Sequence, residues 1–412
     1  MWLSDLKIVL PDGMIERGAL RIEDGYIAEI IEGSAPEPAL RAPALTALPG
    51  LIDIHGDMLE REITPRPKAN IPIDLALHEL DKRLVATGVT TAYAAVSFAW
   101  HKQDSIRSEE RAREIMLTVN KMQPELLADH RVHARFEITN PDAGKVLEEL
   151  LLAGHVHLIS VMDHTPGQGQ YRDIEAYVKF AVEWGKRTGE DHNEEQVWKR
   201  IEVAQQRPKG WDVVADVAKV ALAHGVALAS HDDDTVEKVQ FVHNLGVSIS
   251  EFPVSWEAAQ EAKRLGMHIA MGAPNALRGG SLSGNLNAAD AVDAGVVDTL
   301  ATDYYPAAML HAAYAFAERG VMPLYESIKL VSQNPADALG LHDRGRIAVG
   351  AQADIVLVEE GQRHRVRGTL RQGVPVYWDR YMATLGSAVE PQVFVPSNHF
   401  RNASGATHWP IS

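Results

Sequence analysis

Two potential metal ligands, His55 and Asp57, stand at the end of the apolar run Leu51-Ile52-Asp53-Ile54, just after the turn Pro49-Gly50. In a β-strand, residues i and i+2 project to the same side. The pair therefore points together, with Gly56 leaving room between them. A little further on, Thr64-Pro65-Arg66-Pro67-Lys68 sets two cations on a proline-stiffened loop. Metal ligands beside a cationic loop suit hydrolysis of an anionic compound. The chain holds no cysteine. Disulfides and thiolate metal sites are thereby excluded, and any metal has to be held by His, Asp, Glu or a modified Lys.

The elements that must position such ligands can be read from the apolar pattern. Beyond residue 49, short apolar runs alternate with longer amphipathic segments, the signature of βα units around a parallel sheet. Candidate strands fall at 51–57, 90–97, 132–139, 157–164, 226–232, 247–253, 268–274 and 297–304. Segments such as 105–121 and 212–224 have apolar residues at helical spacing. This pattern predicts a TIM (β/α)8 barrel, whose active site lies at the C-terminal ends of the strands. Metal-competent groups recur at those ends: His55 and Asp57, Glu137, Asp163-His164, His231-Asp232-Asp233-Asp234, Glu251 and Asp303. A single His or Asp at a strand end is ordinarily a surface residue or a helix cap. Their recurrence at six ends points to one shared metal site. Nitrogen and oxygen ligands without thiolate suit Zn²⁺, Mn²⁺ or Ni²⁺.

A second constellation, residues 271–285, reads Met-Gly-Ala-Pro-Asn-Ala-Leu-Arg-Gly-Gly-Ser-Leu-Ser-Gly-Asn after the seventh strand. Glycines let backbone N–H groups approach an anion, and Ser, Asn and Arg add donors. The run does not match a Walker A motif, so a P-loop nucleotide site is not supported.

Residues 1–48 read as short strands with Asp-Gly hairpin turns, at Asp12-Gly13 and Asp24-Gly25. Residues 343–380 return to β character. The two ends are expected to form one composite β-sandwich, beside a barrel spanning 49–342. A helical insertion is expected near 171–210, with a helix beginning around Asp191-His192-Asn193-Glu194. Another helical stretch, 324–339, looks interrupted at Asn334-Pro335. Residues 381–412 form a C-terminal extension with few periodic signals.

The 412 residues carry a formal charge of −16, which argues against general nucleic-acid binding. No run of apolar residues is long enough for a membrane helix. The opening Met1-Trp2-Leu3-Ser4-Asp5 lacks a charged region followed by an apolar one. A cytoplasmic homo-oligomer acting on an anionic small molecule is expected.

The split β-domain, the Pro-Gly-Leu-Ile-Asp-Ile-His opening and the closing Gly-Ala-Gln-Ala-Asp-Ile-Val-Leu at 350–357 resemble the amidohydrolase superfamily. That superfamily usually has His-x-His on its first strand. The His55-Gly56-Asp57 departure is similar to one branch, the PhnM family, diphosphatases of the carbon–phosphorus lyase pathway. The resemblance spans residues 1–380. It is carried by His55-Gly56-Asp57 with Thr64–Lys68, Met162–Gln170, Ala229-Ser230-His231-Asp232-Asp233, 271–285 and Asp303-Tyr304-Tyr305-Pro306. It implies a metal-dependent hydrolysis of α-D-ribose 1-methylphosphonate 5-triphosphate to the 5-phosphate and pyrophosphate.

On the residues, His55, Asp57, His231 and Asp303 are the leading ligands, with Glu137 a bridging carboxylate and His164 a ligand to a second ion. One or two divalent ions are expected, zinc first and manganese or nickel next. Asp303 would also act as general base. Arg66, Lys68, Arg278, Gly279, Gly280, Ser281, Ser283 and Asn285 would bind phosphate oxygens. Glu251 is placed among the substrate contacts, with ligation the alternative. The rival readings are an amidase, deacylase or lactonase on the same metals, and a scaffold that has lost them. A neutral substrate would not need Arg66, Lys68 and Arg278 facing one pocket, and a scaffold should have replaced its strand-end ligands.

Overall fold

The computed structural model describes residues 1–66, 69–98, 106–188, 193–280 and 284–386. The chain opens with strands β1 (Trp2–Leu10), β2 (Gly13–Glu23), β3 (Tyr26–Glu32), β4 (Leu40–Arg41) and β5 (Leu45–Pro49). Eight further strands follow: β6 (Leu51–Gly56), β7 (Val89–Phe98), β8 (Asp129–Glu137), β9 (Leu158–Met162), β10 (Ala227–His231), β11 (Ile249–Glu251), β12 (His268–Gly272) and β13 (Thr299–Ala301). The last three are β14 (Ile355–Glu359), β15 (Arg365–Arg371) and β16 (Val374–Trp378).

β6 to β13 pair in sequence order, every pair parallel, and helices fill the connections. Each overlaps one of the eight apolar runs. The helix Glu109–Met122 starts from the Ser108 side chain, which accepts from the Arg111 N–H, and it buries Ala112, Ile115, Met116 and Val119 at helical spacing. The barrel interior is plugged by Ile54, Tyr93, Leu158, Ala229, Ile249, Ala270 and Ala301, one inward side chain from each of seven strands.

The eight-stranded sheet closes into a barrel through a parallel bridge between Gly56 and Asp303. The Asp57 N–H donates to the Asp303 carbonyl at 2.7 Å, and the Asp303 N–H donates to the His55 carbonyl at 3.0 Å. Asp53, fully buried, spans this seam. Its carboxylate accepts from the Thr302 N–H (2.9 Å), the Thr302 hydroxyl (2.6 Å) and the His55 N–H (3.2 Å).

The remaining strands form one mixed sheet in the order β16-β15-β14-β5-β1-β2-β3, with β4 beside β1. It is a continuous sheet that curls over its own core. That core joins Leu3, Leu6 and Ile8 of β1 to Leu20, Ile22, Ile355, Leu357 and Leu370. The Ile27 N–H donates to the Ala351 carbonyl and the Ala353 N–H to the Gly25 carbonyl, tying the β2–β3 hairpin to the segment that leads into β14. Both ends of the chain meet where β14 lies antiparallel on β5. The Asp24-Gly25 turn has φ of 50° and 85°, the pattern of a type I′ hairpin.

Two helices, Ile174–Thr188 and Glu194–Gln205, form the insertion and pack around Val178, Val197 and Ile201. Asn193 caps the second through a capping box with Gln196. In the 324–339 stretch the break falls elsewhere than at Asn334-Pro335. The helices Leu324–Lys329 and Gln333–Ala338 are separated at 330–332, and Pro335 lies in the first turn of the second. There its missing N–H costs nothing, because the first N–H groups of a helix have no partner within it. Among the described residues no helix is long and apolar enough to cross a membrane.

The seam makes a stability prediction. Asp53→Ala leaves the Thr302 and His55 N–H groups buried without an acceptor. It should lower the unfolding free energy by about 2–5 kcal/mol, read as a fall in the urea midpoint. An unchanged midpoint would show that Asp53 does not hold the seam.

Candidate metal centre

The C-terminal ends of the barrel strands enclose a cavity of about 270 Å³ lined by His55, Asp57, Arg135, Gln170, His231, Asp232, Arg278, Asn285, Asp303 and Tyr304 among others. A larger cleft, about 960 Å³, runs between the barrel and the curled sheet past Arg363 and Arg365, and none of the candidate ligands lines it.

Beneath the cavity, His55, His133 and Glu251 bring one ligand atom each to within 4.8 Å of one another. Glu251 sits between three imidazoles. Its Oε1 is 3.3 Å from His55 Nδ1, and its Oε2 is 3.3 Å from His231 Nδ1 and 3.8 Å from His133 Nε2. Glu251 is 0% exposed and lies behind His55 and His231, which line the cavity. A second set, His164, His231 and Asp232, likewise brings its ligand atoms within 4.8 Å of one another at the rim. Glu137 turns to the back of His164, 2.8 Å from Nδ1, and also accepts the His164 N–H at 3.2 Å. A carboxylate behind an imidazole fixes the ring and raises its basicity, as behind metal-bound histidines.

The buried donors fit a divalent ion. His55 Nδ1, His133 Nδ1, Glu251 Oε1 and Asp232 Oδ2 are all buried without a hydrogen-bond partner, and such atoms are costly unless something binds them. Imidazole and carboxylate are the donor types for zinc, manganese or nickel. Electrostatics agree. Burial pushes the His133 imidazole down to about 3, so it stays neutral. Burial also lowers His231. Burial would raise Glu251, yet the imidazoles around it, with His55 the charged member, hold it well below the usual carboxylate range. Neutral imidazole and ionised carboxylate are the forms that bind metal. Burial would likewise lower His55, but Glu251 and Asp57 raise it to about 10. The field at His55 therefore favours positive charge.

The rings are packed by Phe252, whose centroid lies 4.9 Å from His55 and 5.3 Å from His231 in edge-to-face contact. Asp232, Phe252 and Asp303 have φ of 52°, 53° and 54°. Non-glycine residues in this region carry strain, concentrated at functional sites. Their N–H groups still donate to the neighbouring strand, to Glu251, Ala270 and His55 respectively. Gly56 is required by a close approach: a Cβ there would lie 2.8 Å from Asp53 Oδ2. Asp303 borders the cavity, and burial raises its carboxyl to about 6.

Of the anticipated anion contacts, Arg278 and Asn285 line the cavity. Arg278 is anchored by Nε donating to the Pro274 carbonyl at 3.1 Å. Gly279 ends the helix Ala273–Arg278 in a left-handed conformation, and Gly280 follows it. Arg66 is exposed on its loop, bridged to Ala69. Lys68, Ser281 and Ser283 lie outside the described residues. The run Asp232–Asp234 divides its work. Asp232 faces the metal groups, Asp233 accepts from Ser230 and Ser250 on neighbouring strands, and Asp234 accepts the Gly169 N–H. The helix cap is Thr235 instead. Asp163 pairs with Lys209 at 2.6 Å.

His133 and Arg135 were not anticipated. Both follow from alternation on β8, since His133, Arg135 and Glu137 share one face. Arg135 donates from Nη1 to Asp57 Oδ1 at 2.7 Å, which, despite burial, holds the Asp57 carboxyl well below its ordinary value.

The amidohydrolase family model matches residues 127–377. Alpha-D-ribose 1-methylphosphonate 5-triphosphate diphosphatase of Escherichia coli (strain K12) is 35% identical over 92% of this chain and 100% of its own length. Among solved structures, N-acetyl-D-glucosamine-6-phosphate deacetylase from Mycobacterium smegmatis superposes with a TM-score of 0.60 at 15% identity, covering 92% of this chain and all of its own. Dihydropyrimidinase from Brevibacillus agri gives 0.56 at 14% identity, over 92% and 95%. At these identities the structural likenesses establish the fold alone.

Ligand substitutions test the centre. His133→Ala and Glu251→Ala should each weaken zinc or manganese binding by about 100-fold or more, since each removes a donor atom rather than a group behind one. Competition with a chromogenic chelator measures this. Undiminished affinity in both would remove that group from the metal site.

Proposed function

The chain belongs to the amidohydrolase family, and from that premise we propose that it hydrolyses the triphosphate of a ribosyl phosphonate to the 5-phosphate and pyrophosphate, as the name of its Escherichia coli relative describes. The observation that carries this reading is the joint lining of one cavity of about 270 Å³ by candidate metal ligands and two guanidinium groups, Arg135 and Arg278. A polyanion uses both, whereas a neutral amide or lactone offers no anionic group to Arg278, which is held on the Pro274 carbonyl. A cytoplasmic location and a homo-oligomeric state belong to the same reading.

In the proposed reaction a water oxygen attacks the α-phosphorus, the bond to the bridging oxygen toward the β-phosphorus breaks, and pyrophosphate leaves. His55, His133 and Glu251 are the side chains that would hold a divalent metal, with His164, His231 and Asp232 grouped at the rim and Asp57 and Asp303 beside them. A bound divalent ion would supply Lewis acidity toward phosphoryl oxygen and acidify the attacking water. Asp303 takes the proton of that water, because it is the cavity carboxylate whose burial leaves it basic enough to accept one. Arg135 and Arg278 hold phosphoryl oxygens. Phe252 and the surrounding barrel wall limit water beside the reacting phosphorus.

The direct test is pyrophosphate release from a ribosyl alkylphosphonate 5-triphosphate by the metal-loaded full chain, with ATP and a neutral N-acetyl amide as controls. Preferential release from the phosphonate substrate is expected. Turnover of the amide without the triphosphate would sink the reading. Asp303→Asn should lower kcat by about 10²- to 10⁴-fold. The base works deprotonated, so kcat should fall as the pH drops through the Asp303 value, about 6. A bound dication can only move that acid limb lower. An Asp303→Asn variant that kept the wild-type kcat would exclude Asp303 as the base.

A further inference from the structure

Three inward-facing polar side chains alternate along β8, and only two are explained by the sets above. His133 joins the first metal group, and Glu137 supports His164. Arg135 lies between them, 5% exposed, and its guanidinium is anchored on three other strands or their ends. Nη1 donates to Asp57 Oδ1 at 2.7 Å, after β6. Nη2 is 3.3 Å from His231 Nε2, on β10. Nε is 3.2 Å from the Met162 sulfur, on β9. Guanidinium stays charged across the physiological range. A buried cation is expensive to maintain, and this one opens onto the cavity.

Its position bears on how many ions the centre holds. The atoms without hydrogen-bond partners are concentrated in the first group, at His55 Nδ1, His133 Nδ1 and Glu251 Oε1. The second group offers one, Asp232 Oδ2. The nitrogen of His231 that faces Asp232, 3.7 Å away, is the same Nε2 that Arg135 already contacts. A metal ion taking that nitrogen has to displace the guanidinium and lie beside a fixed positive charge. In the first group the His133 nitrogen that faces Glu251, Nε2, contacts only the neutral Ser160 hydroxyl at 2.9 Å, so an ion there displaces no fixed positive charge.

We propose that Arg135 is the second cation of this centre: the chain holds one tightly bound divalent ion, on His55, His133 and Glu251, and the Arg135 guanidinium neutralises the phosphoryl oxygens in the place of a second ion. The role of Arg135 in turnover rests on the diphosphatase reading, but the ion count does not. Asp57 and His231 aim the guanidinium, so two residues of the metal-ligand type serve here to orient an arginine. Substrate oxygens entering the cavity meet a planar pair of N–H donors suited to bidentate contact.

The test compares the full-length wild type with Arg135→Met and Arg135→Lys. Each is equilibrated with excess zinc, separated from free metal by gel filtration, and assayed for metal by mass spectrometry and for inorganic pyrophosphate affinity by calorimetry. The wild type should retain one ion per chain. Arg135→Met should retain more than one and bind pyrophosphate about ten-fold or more weakly per ion. Its kcat should fall about 100-fold, with Arg135→Lys recovering part of both losses. Two retained ions in the wild type would overturn the proposal. So would a Met variant that keeps one ion and unchanged pyrophosphate affinity. Circular dichroism checks that the variants fold, and the wild-type ion count tests the one-ion part of the proposal even if they do not. A wild type that releases no pyrophosphate from the triphosphate would instead refute the diphosphatase reading, leaving the ion count to stand on its own.

Discussion

Asp53 reaches across the seam between the first and last barrel strands and accepts three hydrogen bonds there, linking residues 249 positions apart in the chain. Everything at the cavity depends on that closure. His55 and Asp57 follow Asp53 on one side of the seam, and Asp303 follows Thr302 on the other. An open sheet would leave the first-strand ligands and the last-strand carboxylate at opposite edges. Burial raises the Asp53 carboxyl above its ordinary value, while the Thr302 and His55 donors favour its charged form. The seam is thus polar and desolvated, and its specificity comes from matching donors to one acceptor.

Above the seam the arrangement concentrates ionisable groups where water is scarce. The apolar plug from Ile54 to Ala301 closes the barrel floor, and Glu251 lies directly among the imidazoles. Such a cluster would be unstable if every group kept its solution protonation. Burial sorts the groups instead, keeping His133 neutral and leaving the charge on Glu251. Three residues with positive φ at the ends of their strands carry backbone strain beside this cluster, and the ladder bonds that their N–H groups retain hold them in place.

Much of this was legible in the chain alone. The barrel strands announced themselves as short apolar runs, and the ligands at their ends as polar residues following those runs. His133 and Arg135 escaped for a physical reason: they lie inside β8, not at its end. Attention to strand ends therefore found Glu137 and missed its two partners on the same face. Asp232 was obscured by the two aspartates after it, since an acidic run before a helix ordinarily reads as a cap. Glu251 was visible, but its depth was not, because the short β11 gives no periodicity from which to judge burial. The break between the two helices of 324–339 was drawn to Pro335, although a proline in a helix's first turn is harmless. The basic loop at Arg66 and the glycine run after 278 were read as one anion site. Arg278 borders the cavity, whereas the exposed Arg66 does not line it.

The antiparallel contact of β5 with β14 has a consequence for how the protein is made. Residues 45–49 leave the ribosome early, and their partners at 355–359 emerge only after the whole barrel sequence has been translated. The curled sheet is therefore completed last, while β1 to β3 can pair with one another as soon as they appear. During most of translation β5 presents an unpaired edge of the kind that invites association with other chains. Rapid closure of the barrel offers no protection to that edge. The interval between the two halves of the sheet is set by the rate of translation rather than by the rate of folding.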